Sequence, residues 1–148
     1  SEPHRTHTKT RTVHQWRNVI DWSEEQVWDI IRRWNIRPHP AYQLGWGRTS
    51  CLACIFGDGD QWASVKTIAP ERFKRIAGLE RDFRSTIRKG QTVEEIAARG
   101  KEFVSDKPSE LRALAMSPDA FTKDMFFLAP GESWSPPAGA YKRCGGPS

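Results

Sequence analysis

The chain has 148 residues, carries a formal net charge of +5, and is 37% hydrophobic and 28% charged, with a mean hydropathy of −0.68. That length suits one domain with a real core and is short for two, and the apolar content exceeds that of a disordered chain. No apolar run approaches the roughly 20 residues of a membrane span, and no signal-peptide core opens the sequence, so the expectation is a soluble, cytoplasmic protein with no membrane partner.

Seven tryptophans predict a core that is largely aromatic. Three cysteines, two of them in a Cys-x-x-Cys, do not resemble a secreted disulfide framework, and metal, cluster or redox use in a reducing compartment suits them better. The basic balance, with a pI near 9.4, favours anionic partners such as a nucleotide or a nucleic-acid backbone. The excess is spread along the chain, so a mildly basic soluble domain has the same composition.

Residues 1–17 alternate threonine, histidine and basic residues without periodicity, which predicts an extended or mobile arm ending in a short strand near residues 16–20. A zinc site from His4, His7 and His14 is a poor fit, because no nearby cysteine completes it. Ser23 and Gln26 form a capping box, and Val27, Trp28, Ile30, Ile31 and Trp34 recur at helical spacing, so a helix is expected over 24–35 with both tryptophans in the core. Pro38 and Pro40 then predict an extended passage.

A short helix is expected over 61–67. Pro70 suits the first turn of another, over 70–83, with Phe73, Ile76, Ala77 and Leu79 inward and Glu71, Arg72, Lys74, Arg75, Glu80 and Arg81 outward. Thr92 and Glu95 form a second capping box for a helix to about residue 103. Beyond it prolines divide the chain, leaving helical turns at 109–115 and 118–123. The organisation is therefore a basic arm over 1–17, a domain over 18–128, and a proline- and glycine-rich tail over 129–148 carrying Cys144.

One run carries a family resemblance. Asp21-Trp22-Ser23-Glu24-Glu25-Gln26-Val27-Trp28, His39-Pro40-Ala41-Tyr42, and Gly45-x-Gly47-Arg48-x-Ser50-Cys51-x-x-Cys54 together resemble the C-terminal half of the phosphoadenosine phosphosulfate (PAPS) reductase family. Pro70-Glu71-Arg72-Phe73, Leu79-Glu80-Arg81 and Thr92-Val93-Glu94-Glu95-Ile96 look like its phage and mobile-element branch. The likeness covers roughly residues 11–100, more weakly the tail, and rests on the order and spacing of the motifs.

The resemblance implies the α/β fold of the adenine nucleotide α-hydrolase superfamily, with the nucleotide on a Ser-Gly-Gly-x-Asp-Ser loop after the first strand of a parallel sheet. That loop is absent here, and Gly57-Asp58-Gly59-Asp60 lacks a preceding apolar strand. The chain is accordingly expected to be the mostly α-helical C-terminal part, with few short strands. The implied function is PAPS reductase-like, acting on an adenine nucleotide or in sulfur transfer and serving a mobile genetic element. As an enzyme it would be an oxidoreductase or α-hydrolase needing an N-terminal nucleotide-binding half. The alternative is a non-catalytic basic module that binds DNA, RNA or a protein partner, and a homodimer is among the expected assemblies.

The candidate site follows. Cys51 and Cys54 are read as ligands of an iron–sulfur cluster or zinc, as a redox disulfide, or as buried structural thiols. Cluster-bearing relatives add an upstream Cys-Cys pair that this sequence lacks, leaving Cys144 and His39 as distant ligand candidates. By resemblance Arg48 contacts the phosphate or sulfate of the nucleotide; otherwise it is an exposed turn residue. His39 is a candidate base, ligand or substrate contact, set against a structural role between prolines. Cys144 stands where the family carries a nucleophilic cysteine released by a thioredoxin-like reductant. Of the family's Glu-Cys-Gly-x-His segment, Cys144-Gly145 matches, while Arg143 replaces the glutamate and no histidine follows.

Overall fold

Asp58 opens the helix that carries most of the core. Its carboxylate accepts the Gln61 amide at 2.8 Å, α3 (Gly59–Ile68) starts there, and Trp62 and Val65 turn inward among the largest fully buried side chains. Each such side chain contributes about 1.5–3 kcal/mol relative to exposure. Ala69 ends α3, and Pro70, which has no amide hydrogen to leave unpaired, opens α4 (Pro70–Phe83). Its Phe73 ring meets Trp62 edge-on at 6.3 Å. Thr92 then opens α5 (Val93–Ala98) with the second capping box, and Val93, Ile96 and Ala97 complete the cluster against α3 and α4.

The computed structural model describes residues 4–7, 12–16, 18–119 and 121–142. Two corrections on α4 and α5 share one cause, the tightness of this three-helix unit. Glu80, expected to face solvent, is 8% exposed, while Leu79, expected inward, lies on the surface. The Glu80 carboxylate accepts the Ile87 and Val93 amides, each at 2.9 Å, so its burial is balanced by two charge-assisted hydrogen bonds. Helix α5 stops well short of residue 103 because Gly100 passes against Gly59, where a Cβ would overlap the Gly59 carbonyl. The chain then turns Phe103 onto Trp46, ring to ring at 4.9 Å.

The remaining elements attach to this unit. α1 (Glu24–Arg33) forms behind its expected capping box and docks through Trp28, whose ring edge meets Tyr42 at 5.2 Å and leans on Trp134 at 6.5 Å. Trp34, expected in the core, is 66% exposed: it sits past the last turn, as the C-cap, and none of the described residues covers it. α2 (Pro40–Leu44) replaces the expected extended passage. His39 caps it by accepting the Ala41 amide at Nδ1, 3.1 Å away, and Pro40 occupies the first helical turn, where proline is favoured.

α6 (Ser109–Met116) packs on α2, and the next helical turn, α7 (Lys123–Phe126), falls later than the 118–123 expected. Ile36 and Phe127 form an antiparallel bridge. Arg37 holds Glu132 through two parallel contacts of 3.0 and 2.6 Å. In the region expected to be an arm, β1 (His4–His7) and β2 (Thr12–Gln15) pair antiparallel, with His4 opposite Gln15 and His7 opposite Thr12. A turn over 18–21 stands where a strand was expected. Among the described residues the chain is mostly helical with one two-stranded sheet, and no helix is long and apolar enough to cross a membrane.

Candidate functional site

The loop that follows α2 builds the site. Gly45 reverses the chain with a φ of 124°, a conformation glycine adopts freely, and a Cβ there would lie 2.9 Å from Phe103. Trp46 is thereby buried. Two residues on, Arg48 Nε donates to Ser50 Oγ at 3.0 Å and its guanidinium stands 5.4 Å over the Phe56 ring, which holds the side chain in place from both ends of the loop. Arg88 reaches back from beyond α4 and donates to the carbonyls of Gly57 and, at 3.5 Å, Ile55. It clamps the chain after Cys54, a role no local pattern announced.

This clamped loop treats its two thiols differently. Cys54 is 4% exposed, with its carbonyl accepting the Gly57 amide at 2.8 Å. Cys51 is exposed and unpaired with Cys54. Its sulfur lies 4.0 Å from Ser50 Oγ, and it lines a cavity of about 230 Å³ together with Arg48, Thr49, Arg72, Ser117 and Trp46, over an apolar floor that includes Leu44 and Ile68. Arg72 comes from the first turn of α4 and Ser117 from the end of α6, so three separate segments converge on one thiol.

The polar lining has a single character. The side chains lining this space include two guanidiniums, two hydroxyls and a thiol, and no carboxylate among the described residues. Neither Arg48 nor Arg72 belongs to an ion pair among the described residues. A cavity lined by two guanidiniums and by no carboxylate among the described residues favours an anion, because the ligand supplies the negative charge that the wall lacks.

His39 falls elsewhere. It lines a second, largely apolar cavity of about 320 Å³ with Phe121, Phe126, Leu114 and Asp124, its ring 5.3 Å from that of Phe121. Partial burial holds its pKa below the ordinary 6.5, since desolvation disfavours the imidazolium. The structure therefore brings Arg48 and Cys51 to one cavity and sets His39 in another. Among the described residues no group of three His, Cys, Asp or Glu side chains could hold a metal ion.

Cys144 lies outside the described residues. The described part of the tail runs along the site loop. The Gly139 amide donates to the Tyr42 carbonyl at 2.8 Å, a Cβ at Gly139 would overlap the Trp46 carbonyl, and Lys142 Nζ stands 4.4 Å over the Phe103 ring. Arg72, Ser117, Arg88 and Gly139 all escaped the sequence reading. Arg72 looked like one more charge on a solvated helix face, and the others reach the loop from far along the chain.

No family model and no solved structure matches the chain. It is similar to an uncharacterised 37.8 kDa protein from the gpA 5′ region of Escherichia phage 186, at 31% identity over 83 residues. The match takes in 56% of this chain and 25% of that protein, so the chain spans about a quarter of the length of the relative it matches.

Proposed function

We propose that the chain is a PAPS reductase-like module of the adenine nucleotide α-hydrolase superfamily, contributing the helical part of a site that handles an adenine nucleotide or transfers sulfur. The observation that carries this reading is the cavity in which Arg48, Arg72, Thr49 and Cys51 converge, with no carboxylate among the described residues that line it. In this reading Arg48 and Arg72 hold the phosphate or sulfate of the ligand as cationic forks, and the apolar floor excludes water beside it. Cys144 acts as the nucleophile, regenerated by a thioredoxin-like reductant. The similarity to a phage protein supports service to a mobile genetic element.

A cluster or zinc at Cys51 and Cys54 fits the described residues poorly, because such sites take four ligands and only these two thiols are offered. Cys144 is the one further thiol in the chain. Metal analysis of anaerobically purified protein addresses this directly: stoichiometric iron or zinc, lost in Cys51→Ser and Cys54→Ser, would establish the metal.

A second reading has its own observation. Arg75, Arg84, Lys89 and Arg99 are exposed and outside the ion pairs of the described residues, as suits a basic module on a nucleic-acid backbone. Calorimetry with adenosine 3′,5′-bisphosphate, run beside a DNA titration at several salt concentrations, separates the two. The nucleotide reading expects binding that weakens about tenfold or more in Arg48→Gln, a loss of about 1.4 kcal/mol. Salt-dependent DNA binding with no nucleotide heat would replace it with the nucleic-acid module.

A further inference from the structure

Cys51 and Cys54 are three residues apart and chemically unequal. A reagent in solution reaches the exposed Cys51, whereas Cys54 is enclosed. Reactive thiols are those that are accessible and set in electropositive surroundings, and Cys51 shares its cavity with Arg48 and Arg72. The cavity, about 230 Å³, is lined also by Thr49 and Ser117, whose hydroxyls are further donors to an anionic group.

We infer that Cys51 is a thiol-exchange site selective for anionic low-molecular-weight disulfides. The anionic group of such a molecule enters the cavity, where guanidinium and hydroxyl donors meet it, and this brings its disulfide to the Cys51 sulfur. Cys51 loses its proton to solvent and its thiolate attacks one sulfur of the disulfide. A Cys51–S bond forms, the original S–S bond breaks, and the other half departs as a thiolate with the electron pair. The anionic half that remains attached fills the cavity, so the modification also closes it. Cys54, being enclosed, leaves the adduct in place until an external thiol removes it. The inference uses the anion cavity of the proposed function but not its nucleotide, and modification at Cys51 would regulate whatever anion binds there.

The test compares two disulfides on the full reduced chain. One is 5,5′-dithiobis(2-nitrobenzoate), which is anionic, and the other is 2,2′-dithiodipyridine, which is neutral. Quenched samples are peptide-mapped so that the rate at Cys51 is read separately from those at Cys54 and Cys144. The anionic reagent is expected to lose about tenfold of its rate at Cys51 in the Arg48→Gln, Arg72→Gln double variant, and to slow with added salt. The neutral reagent should slow by a clearly smaller factor, that of the lost electropositive setting alone, and its continued reaction shows Cys51 still accessible in the variant. Three results overturn the inference: equal loss for both reagents, Cys54 reacting as fast as Cys51, or no reaction at Cys51 until a chelator strips a metal. Adenosine 3′,5′-bisphosphate added beforehand keeps the two proposals apart. Retained selectivity without protection removes the nucleotide and leaves the exchange site standing.

Discussion

α1 and α5 begin with the same device and end in opposite surroundings. Ser23 with Gln26 and Thr92 with Glu95 each make a full capping box, and both helices continue with apolar residues at helical spacing. In α5 that spacing is buried throughout, with Val93 at 0% exposure. In α1 Trp28 is buried, while Val27, Ile30 and Trp34 face solvent, joined by Trp16, Val19, Ile20 and Trp22 from the segment before it. Capping chemistry and periodicity are local and establish which face of a helix is apolar. Coverage of that face depends on another element arriving, and α5 lies against α3 and α4 while α1 meets the body chiefly along one flank.

The comparison is sharpest for tryptophan. Trp62→Ala should cost about 3–5 kcal/mol, through lost burial and the cavity left behind. Trp34→Ala, at the end of the uncovered stripe, should change stability by no more than about 0.5 kcal/mol. Urea unfolding of the two variants measures both, and a large cost at Trp34 would mean that α1 is covered in solution.

Glycine gives an effect of smaller size and opposite signs. Gly100→Ala drives a methyl into the Gly59 backbone and should destabilise by roughly 1–3 kcal/mol, as overpacking does. Gly78→Ala, within α4 and with nothing within 4 Å of the new methyl, should stabilise by about 0.5–1 kcal/mol through helix propensity. Thermal melts that move in the same direction for both would contradict the close packing of α3 on the end of α5.

The smallest effect belongs to α2, whose cap titrates. Burial lowers the His39 pKa from 6.5, so the folded state takes up its proton less readily than the unfolded chain. The contribution is therefore present above pH 6.5 and is lost as pH falls through the lower folded value. Protonation at Nδ1 would also remove the acceptor that the Ala41 amide uses. His39→Asn keeps a capping acceptor and removes the titration, so its stability should vary less with pH just below neutrality than that of the natural chain. Parallel unfolding curves at each pH check this.

Much of the helix content was legible because its signals are local. Pro70 starts α4, two capping boxes start α1 and α5, and each instruction lies within a few residues of the element it governs. Pro40 was misread because proline both stops a preceding helix and opens a following one, and the choice rests on whether His39 turns its ring back onto the Ala41 amide. Glu80 was misread because helical spacing alone cannot show that two backbone amides from beyond the helix will meet a carboxylate.

The site divides in the same way. The succession Gly45, Gly47, Arg48, Cys51 and Cys54 is written in order along the chain, so a turn, a cation and two thiols within one loop were visible without coordinates. Which thiol meets solvent was not visible, nor that Arg72 and Ser117 would complete a cavity around it with no carboxylate among its described lining. Those facts depend on Arg88 clamping the loop from beyond α4 and on Gly139 passing under Trp46. Both contacts join positions more than thirty residues apart, and no periodicity or spacing encodes a meeting that only the packing of whole helices brings about.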